Sequence, residues 1–335
     1  MAIRVAINGF GRIGRVFMRR AKGRGIEIVA VNDLGSLENL AYLLKHDTVY
    51  GKAPFEVETK GKALVIDGKE ITFLSEKDPV HLPWGKLGVD VVVEATGVFD
   101  EYEKAKAHLK VGAKRVVITA PGKGEGGETV LMGINEDKLA TCPVTSNASC
   151  TTNSASPIIA ILDESIGIEK AILSTVHAYT STQSVIDGPV KGGDFRRGRD
   201  AAHNIAPSST GAAIAVAKAY PALVGKFDGI ALRVPVIAGS IADITFIAKR
   251  ATSVEEVNNL LRKAAHNPRW EGLFKVTEEQ LVSSDIVGEP VASIADLLMT
   301  RVVDDNLVKV LTWYDNEMGY VESLLRHVLK AGEQI

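Results

Sequence analysis

The pattern of apolar and polar positions divides the chain into two parts. In the first 120 residues, short apolar strands alternate with helical periodicity, beginning with a predicted strand at 3–8, a helix at 12–22 and a strand at 26–32. Two further runs, 89–94 and 115–119, are mainly apolar, which is typical of parallel strands buried on both faces. This alternation predicts an α/β arrangement around a parallel sheet.

After residue 150 the predicted strands become longer, and helices interrupt them less often. These strands are expected at 169–178, 229–236, 241–249 and 307–313. Ser253 and Glu256 have the spacing of a capping box, which predicts a helix that continues to Ala265. Strands in runs, with helices kept apart from them, favour an α+β domain with a mostly antiparallel sheet.

Two domains are therefore expected in the 335 residues, one over 1–149 and one over 150–314. An amphipathic stretch at 317–330 predicts a terminal helix, and we expect the segment 315–335 to pack back on the first domain. The segment 179–204 is rich in Gly, Ser, Thr and Arg and has little periodicity. Such long stretches inside compact domains are usually functional or disordered loops.

Composition narrows the class of protein. The 39 basic and 41 acidic residues give a formal net charge of −2, so no basic field indicates binding to nucleic acid or anionic lipid. Two cysteines favour a reducing compartment over a disulfide framework. The sequence contains neither a run of 18 apolar residues nor a charged leader followed by an apolar core. A soluble cytoplasmic protein without a metal site is expected.

Residues 9–14 fit the pattern G-x-G-x-x-G between a predicted strand and a predicted helix. Glycines there permit a tight turn and the close approach of a pyrophosphate to the helix N-terminus. Asp33 follows 19 residues after Gly14, at the end of the second strand. A carboxylate in that place accepts hydrogen bonds from the adenosine ribose and repels a 2′-phosphate. The pattern predicts a Rossmann-type domain that prefers NAD to NADP.

Cys150 lies among short hydroxyl and amide side chains at 146–153, just before the apolar run 157–162. Such side chains cap helix N-termini, where the positive end of the helix favours a thiolate over a thiol. Cys150 is therefore a candidate nucleophile. Cys142 has no such surroundings, and we interpret it as structural.

His177 is the candidate partner of this thiol. It follows the apolar run 172–176 and opens the segment 179–204, which is a position at the edge of a site. The remaining histidines lack such a setting and are expected to face solvent or to lie in helices: His46, His81, His108, His203, His266 and His327.

Six blocks in order make the whole chain resemble the phosphorylating glyceraldehyde-3-phosphate dehydrogenases. These blocks are residues 6–15, 146–153, 175–180, 207–213, 232–235 and 313–317. The resemblance implies that Cys150 adds to the aldehyde carbon of glyceraldehyde 3-phosphate. His177 would hold the thiolate as an ion pair and would then act as the general base while hydride leaves for NAD. Inorganic phosphate would release the thioester as 1,3-bisphosphoglycerate. Sulfur suits this chemistry because a thiolate both attacks and departs readily.

The resemblance also implies two phosphate sites and a set of cofactor contacts. The substrate phosphate would contact Thr180, Thr182 and Arg233, and inorganic phosphate would contact Ser149, Thr151, Thr210, Gly211, Arg196 and Arg197. NAD would contact Gly9, Gly11, Arg12, Ile13, Asp33, Lys77, Thr96, Thr119 and Asn316. Arg196 and Arg197 fit an exposed or inter-subunit cluster equally well. Arg233 lies in an apolar strand, where an unpaired guanidinium is costly.

In the family, the segment corresponding to 179–204 lies near the cofactor of a neighbouring subunit in a homotetramer. The resemblance thus implies a tetramer that requires neither a membrane nor nucleic acid. Three residues depart from the common family pattern: Lys77, where many relatives have arginine, Ser154, which replaces a second cysteine, and Ile214, which replaces lysine.

Other functions remain open at this level. An erythrose-4-phosphate dehydrogenase shares the thiol chemistry but hydrolyses its thioester, and the turn at 209–211 favours phosphorolysis instead. A semialdehyde dehydrogenase does not need two phosphate sites. A non-catalytic protein that senses NAD or binds nucleic acid is expected to lack Cys150 or His177, or to have a basic surface.

Overall fold

The computed structural model describes residues 2–190 and 193–335, and it separates into two compact units. The first unit comprises the chain up to Ala148 together with Val321–Ile335. The second unit comprises Ser149–Tyr320.

The first unit is built on a nine-stranded sheet of described residues. Its strands, with the separate hairpin β3–β4, are β1 (Ile3–Asn8), β2 (Ile26–Asn32), β3 (His46–Asp47), β4 (Gly51–Lys52), β5 (Val57–Lys60), β6 (Ala63–Ile66), β7 (Lys69–Leu74), β8 (Val91–Glu94), β9 (Arg115–Ile118), β10 (Glu128–Thr129) and β11 (Val144–Ser146). The strand order is β10-β11-β9-β8-β1-β2-β7-β6-β5, parallel as far as β7 and antiparallel at β6 and β5. The accompanying helices are α1 (Arg12–Ala21), α2 (Leu37–Lys45), α3 (Tyr102–Ala105) and α4 (Ala107–Lys110).

The second unit contains a sheet with the order β13-β14-β12-β15-β18-β17-β16. Its strands are β12 (Ile168–Ala178), β13 (Ala206–Ser209), β14 (Phe227–Val234), β15 (Ser240–Ala248), β16 (Phe274–Thr277), β17 (Ser293–Val303) and β18 (Leu307–Tyr314). The pairs β12–β14 and β16–β17 are parallel and the others antiparallel. The helices are α5 (Cys150–Ile166), α6 (Ala212–Ala219), α7 (Val254–Ala265) and α8 (Met318–Gly332), most of which belongs to the first unit.

The predicted fold class is confirmed: a Rossmann-type parallel sheet in one unit and a mostly antiparallel sheet in the other. Burial explains both patterns. The strand β8 is buried at every position, as expected for a strand covered on both faces, whereas β15 alternates between buried and partly exposed positions. The strands predicted at 3–8 and 26–32 have the expected bounds, and the other predicted elements differ by one or two residues at their ends. No helix among the described residues is both long and apolar enough to cross a bilayer.

Candidate active site

Cys150 is the first residue of α5, so the predicted helix terminus is confirmed. Ser149 is the N-cap residue, and its Oγ accepts a hydrogen bond from the backbone N–H of Thr152 at 3.2 Å. Two residues before Cys150, Ala148 adopts the left-handed conformation with φ of 54°. A non-glycine residue in this region is uncommon and concentrates at functional sites.

Three of the predicted residues lie side by side, with His177 between Cys150 and Arg233. His177, near the end of β12, places Nε2 3.3 Å from Sγ. Arg233 lies directly beside His177 on the parallel strand β14. Its Nη1 is 2.8 Å from His177 Nδ1 and 3.3 Å from the carbonyl oxygen of Ala178. A thiol, an imidazole and a guanidinium are thus held together by one helix and two adjacent strands.

The contacts of His177 decide which of its two ring nitrogens carries the proton. Nδ1 lies 2.6 Å from the carbonyl oxygen of Ala178, which requires a proton on Nδ1. The contact to Arg233 requires a bare Nδ1, so the two contacts cannot both be hydrogen bonds. We assign the shorter one, to the carbonyl, because it leaves Nε2 as an acceptor for the thiol proton of Cys150.

Burial opposes charge on both members of the pair. It raises the pKa of the Cys150 thiol, although the charge of Arg233 and the backbone N–H of Thr151 lower that pKa. Burial, followed by the charge of Arg233, lowers the pKa of His177 to about 3. Burial therefore favours the uncharged form of each group, while the start of α5 and the charge of Arg233 favour the thiolate.

Sequence reasoning missed Tyr314, which is 1% exposed at the end of β18. Its hydroxyl lies 2.8 Å from Thr151 Oγ1 and 2.7 Å from Thr175 Oγ1. The edge of its ring faces His177, with the ring centroids 6.0 Å apart. Tyr314 therefore ties the start of α5 to β12 beside the reactive pair. Its place in the block 313–317 was visible in the sequence, but its partners were not.

Two of the three residues expected at the substrate phosphate, Thr180 and Thr182, lie close together. The hydroxyls of Thr180 and Thr182 are 2.9 Å apart, and Arg197 Nη1 donates to Thr182 Oγ1 at 3.5 Å. Arg233 has a buried Nε without a hydrogen-bond partner among the described residues. This orphaned donor, with the charge of Arg197 nearby, fits an anionic ligand.

Arg196 and Arg197 differ in their surroundings. Arg196 is exposed and pairs with Asp194 at 3.2 Å. The Nε of Arg197 donates to Ser208 Oγ at 2.9 Å and also lies 3.4 Å from Asp194, and its side chain is partly buried. Arg197, but not Arg196, is thus ordered towards the threonines.

The residues expected at inorganic phosphate cluster around two helix termini. Gly211 is the exposed N-cap of α6, and Thr210 Oγ1 accepts from the N–H of Ala212 at 3.2 Å. Thr152 Oγ1 lies 3.5 Å from the carbonyl of Ala212, which brings the start of α5 beside the start of α6. The hydroxyl of Thr151 instead faces Tyr314. Two helix N-termini side by side form a region that favours anions.

A cleft of about 380 Å³ lies at the carboxyl ends of the parallel strands in the first unit. It is lined by five of the expected cofactor residues, Gly9, Gly11, Asp33, Lys77 and Thr96, together with Asn8, Asn32, Leu34, Glu76, Ala95, Val98 and Phe99. Gly9 is required by close packing, because a Cβ there, where φ is +96°, would lie 2.6 Å from the backbone N of Thr96. Around Gly11 there is open space. A backbone cradle with room above it fits a pyrophosphate.

The remaining expected cofactor residues lie outside the lining of this cleft. Arg12 and Ile13 begin α1, and Arg12 forms an ion pair with Asp47 at 2.6 Å. Thr119 follows β9, and its N–H donates to the carbonyl of Glu94. Asn316 belongs to the second unit, where its Oδ1 accepts from Ser240 Oγ at 3.1 Å. The described residues contain no cluster of three or more His, Cys, Asp or Glu side chains arranged to hold a metal ion.

Two protein-family models match this chain, one in each part. The family model described as the NAD binding domain of glyceraldehyde 3-phosphate dehydrogenase matches residues 3–102. The model of the C-terminal domain of the same enzyme matches residues 149–316.

Full-length relatives are similar as well. The glyceraldehyde-3-phosphate dehydrogenase of Streptomyces coelicolor is 48% identical and covers 100% of both chains. Those of Clostridium pasteurianum and Geobacillus stearothermophilus are 47% and 48% identical and cover 96% of this chain, and 96% and 95% of their own. The chain belongs to the glyceraldehyde-3-phosphate dehydrogenase family.

Proposed function

We propose that this protein oxidises glyceraldehyde 3-phosphate to 1,3-bisphosphoglycerate, using NAD and inorganic phosphate. The relatives carry the name of this enzyme over the full length of the chain. The observation that carries the proposal is the 3.3 Å contact between Cys150 Sγ and His177 Nε2 at the N-terminus of α5, with Arg233 beside it. This constellation joins a nucleophile, a base and an anion-binding group.

The first step is the addition of sulfur to the aldehyde carbon. His177 Nε2 accepts the thiol proton, which creates a thiolate and an imidazolium that attract each other across a short distance. The N–H groups at the start of α5 and the charge of Arg233 favour the thiolate. The new C–S bond leaves an oxyanion, which the imidazolium protonates, and a thiohemiacetal results.

The second step converts the thiohemiacetal into a thioester. His177, neutral again, removes the hydroxyl proton while the carbon loses hydride. NAD, when bound, supplies the hydride acceptor. An oxygen of inorganic phosphate then attacks the thioester carbon, the C–S bond breaks, and Cys150 leaves as a thiolate that recovers its proton from His177.

We assign the two phosphate groups to different residues. Arg233, Thr180 and Thr182 hold the substrate phosphate, supported by the orphaned Nε of Arg233. Arg197, Thr210 and Gly211 serve the inorganic one, with Ser149 and Thr151 contributing through the helix terminus. Arg196 has the exposed setting of a surface charge.

NAD binds in the cleft of the first unit. The backbone at Gly9 and Gly11 and the start of α1, with Arg12 and Ile13, hold the pyrophosphate, and Leu34 and Val98 offer exposed apolar surface to the adenine. Asp33 Oδ2 accepts from the N–H of Phe10 at 2.6 Å, which aims its carboxylate at the ribose position. Its negative charge favours NAD over NADP. Lys77 and Thr96 line the cleft. The family resemblance assigns Thr119 to the cofactor at the end of its strand, and Asn316 to the nicotinamide carboxamide.

We further propose a cytoplasmic homotetramer. Val185, Ile186 and Phe195, within the segment 179–204, are at least 75% exposed in the single chain. Apolar side chains exposed to this extent are typical of surfaces that another chain covers. Light scattering is expected to give four times the mass of one chain.

The test of the function is NADH absorbance after mixing protein, NAD and glyceraldehyde 3-phosphate, with and without inorganic phosphate. Sustained turnover is expected only with phosphate, and at most one equivalent of NADH without it. Cys150→Ser is expected to be nearly silent. Equal turnover without phosphate would indicate hydrolysis and an enzyme of the erythrose-4-phosphate type, which the same assay with erythrose 4-phosphate detects.

A further inference from the structure

A buried carboxylate lies directly behind the cofactor cleft. Glu94 ends the central strand β8 and is 2% exposed, and His108 on α4 is fully buried beside it. Their surroundings are an apolar cluster that includes Trp84 and Tyr102. A carboxylate in such a place is costly unless its oxygens are hydrogen-bonded.

Every acceptor position of Glu94 is filled. Oε1 accepts from both the backbone N–H and the hydroxyl of Thr96. Oε2 accepts from Asn8 Nδ2 at 2.5 Å and contacts His108 Nε2 at 3.1 Å. Four donors converge on two oxygens, which is the arrangement of an ionised carboxylate.

Trp84 fixes the direction of the contact from His108. The indole Nε1–H can only donate, and it lies 2.9 Å from His108 Nδ1. Nδ1 is therefore bare, and the imidazole proton is on Nε2, where it points at Glu94. Trp84, His108 and Glu94 form a chain of hydrogen bonds with one polarity.

The chain continues along the ends of the neighbouring strands. Asn8 Oδ1 accepts from Asn32 Nδ2 at 2.7 Å, and Asn32 forms two hydrogen bonds with the backbone of Glu76. Asn8, Asn32, Glu76 and Thr96 all line the cleft, whereas Glu94, His108 and Trp84 do not. One buried carboxylate thus anchors turns that follow four parallel strands.

We propose that Glu94 and His108 are positioning residues for NAD, and that they preorganise the cleft without touching the cofactor. The inference rests on the proposed function, in that the cleft is taken to bind NAD. A rigid cleft loses less conformational entropy when NAD binds. The network therefore contributes to NAD affinity and not to the chemistry at Cys150.

Glu94→Gln is the test, because it keeps the shape of the side chain and places an NH₂ against the converging donors. We expect the Kd for NAD, measured by calorimetry on the purified full-length protein, to rise about tenfold or more. The KM for NAD is expected to rise similarly, while kcat at saturating NAD changes less than about twofold.

Glu322→Gln is the matched control. Glu322 is another buried glutamate of the first unit, 4% exposed and paired with Arg20 and Arg24, and it does not line the cleft. This variant is expected to lose thermal stability and to keep the wild-type Kd for NAD. Equal effects of the two variants on Kd, or no effect of Glu94→Gln, would overturn the proposal.

Trp84→Phe provides a second route should Glu94→Gln not fold. It removes the indole N–H that holds Nδ1 bare, together with part of a buried ring, and keeps Glu94 in place. A smaller rise in Kd is therefore expected, together with loss of the single Nε2–H form of His108 in ¹⁵N NMR. An unchanged Kd in this variant also overturns the proposal. Failure of the wild-type protein to bind NAD would instead reject the proposed function.

Discussion

At Cys150 the helix terminus and the burial of the thiol act in opposite directions. The N–H groups of α5 and the charge of Arg233 lower the pKa of the thiol, but desolvation raises it by more. The imidazole of His177 is the group that can accept the thiol proton at short range. Reactivity at this site therefore depends on both members of the pair.

His177→Asn is predicted to expose this dependence. The variant removes the proton acceptor, so alkylation of Cys150 by iodoacetamide at about pH 7 should slow at least tenfold, and kcat should fall roughly 10²–10⁴-fold. The rate of alkylation across pH, read by mass spectrometry, is the measurement, and Cys150→Ser gives the background at Cys142. A profile identical to that of the wild type would show that the helix and Arg233 alone set the reactivity.

Single residues were predictable where their chemistry is local. Gly9, Asp33 and Cys150 are set by short motifs beside element boundaries, and the structure places each at the expected boundary. Tyr314 was missed because its partner Thr151 lies 163 residues away, and Glu94 and His108 were missed because their shared network is completed by Asn8, which is 86 residues from Glu94. The sequence expectation for His108, a residue in solvent or a helix, did not include its burial.

At the scale of elements, α5 and β12 carry the reactive pair, and Tyr314 joins them. Its hydroxyl contacts Thr151, next to Cys150, and Thr175, two residues before His177. Removing the hydroxyl leaves two buried threonine hydroxyls without this partner, at a cost of about 1–3 kcal/mol. The distance between Sγ and Nε2 then loses a direct constraint.

Tyr314→Phe is therefore predicted to lower kcat more than it raises the KM for either substrate. Tyr220→Phe is the matched control, because the hydroxyl of Tyr220 donates to Asp163 at 3.0 Å in the same unit, without a contact to Cys150 or His177. Both variants should lose stability in urea unfolding. Equal kcat values for the two variants would show that Tyr314 contributes to stability and not to the positioning of the reactive pair.

Helices and strands were predictable where apolar and polar positions alternate with a clear period. Strands β1 and β2 and helices α1 and α7 have a clear period, and their types were correct. Ser253 caps α7 as expected, but the carboxylate of Glu256 pairs with Arg250 and Thr252. The helix α2 was not predicted, although Leu37, Leu40, Ala41 and Leu44 have helical spacing. The hairpin strands β5 and β6 were not predicted, because four residues each leave little periodicity.

For the whole molecule, buried neutral histidines make the free energy of unfolding decrease as the pH falls. His327 is fully buried between Thr145 and Asn147, and burial lowers its pKa to about 3; His177 has a similar value. Each histidine has a pKa of about 6.5 in the unfolded chain. Only the unfolded chain takes up protons between these values, so this contribution to stability is complete above about pH 6.5 and is lost as the pH falls towards 3.

His327→Gln is predicted to remove the contribution of His327 to this pH dependence. At about pH 5 each histidine should cost the folded state about 2 kcal/mol relative to neutral pH. The stability difference between wild type and His327→Gln in urea unfolding should therefore shrink by about that amount between pH 7.5 and pH 5. His266→Gln, at an exposed position, should leave the difference constant. A constant difference for His327→Gln as well would mean that His327 is protonated in the folded protein, and that acid instability has its origin elsewhere.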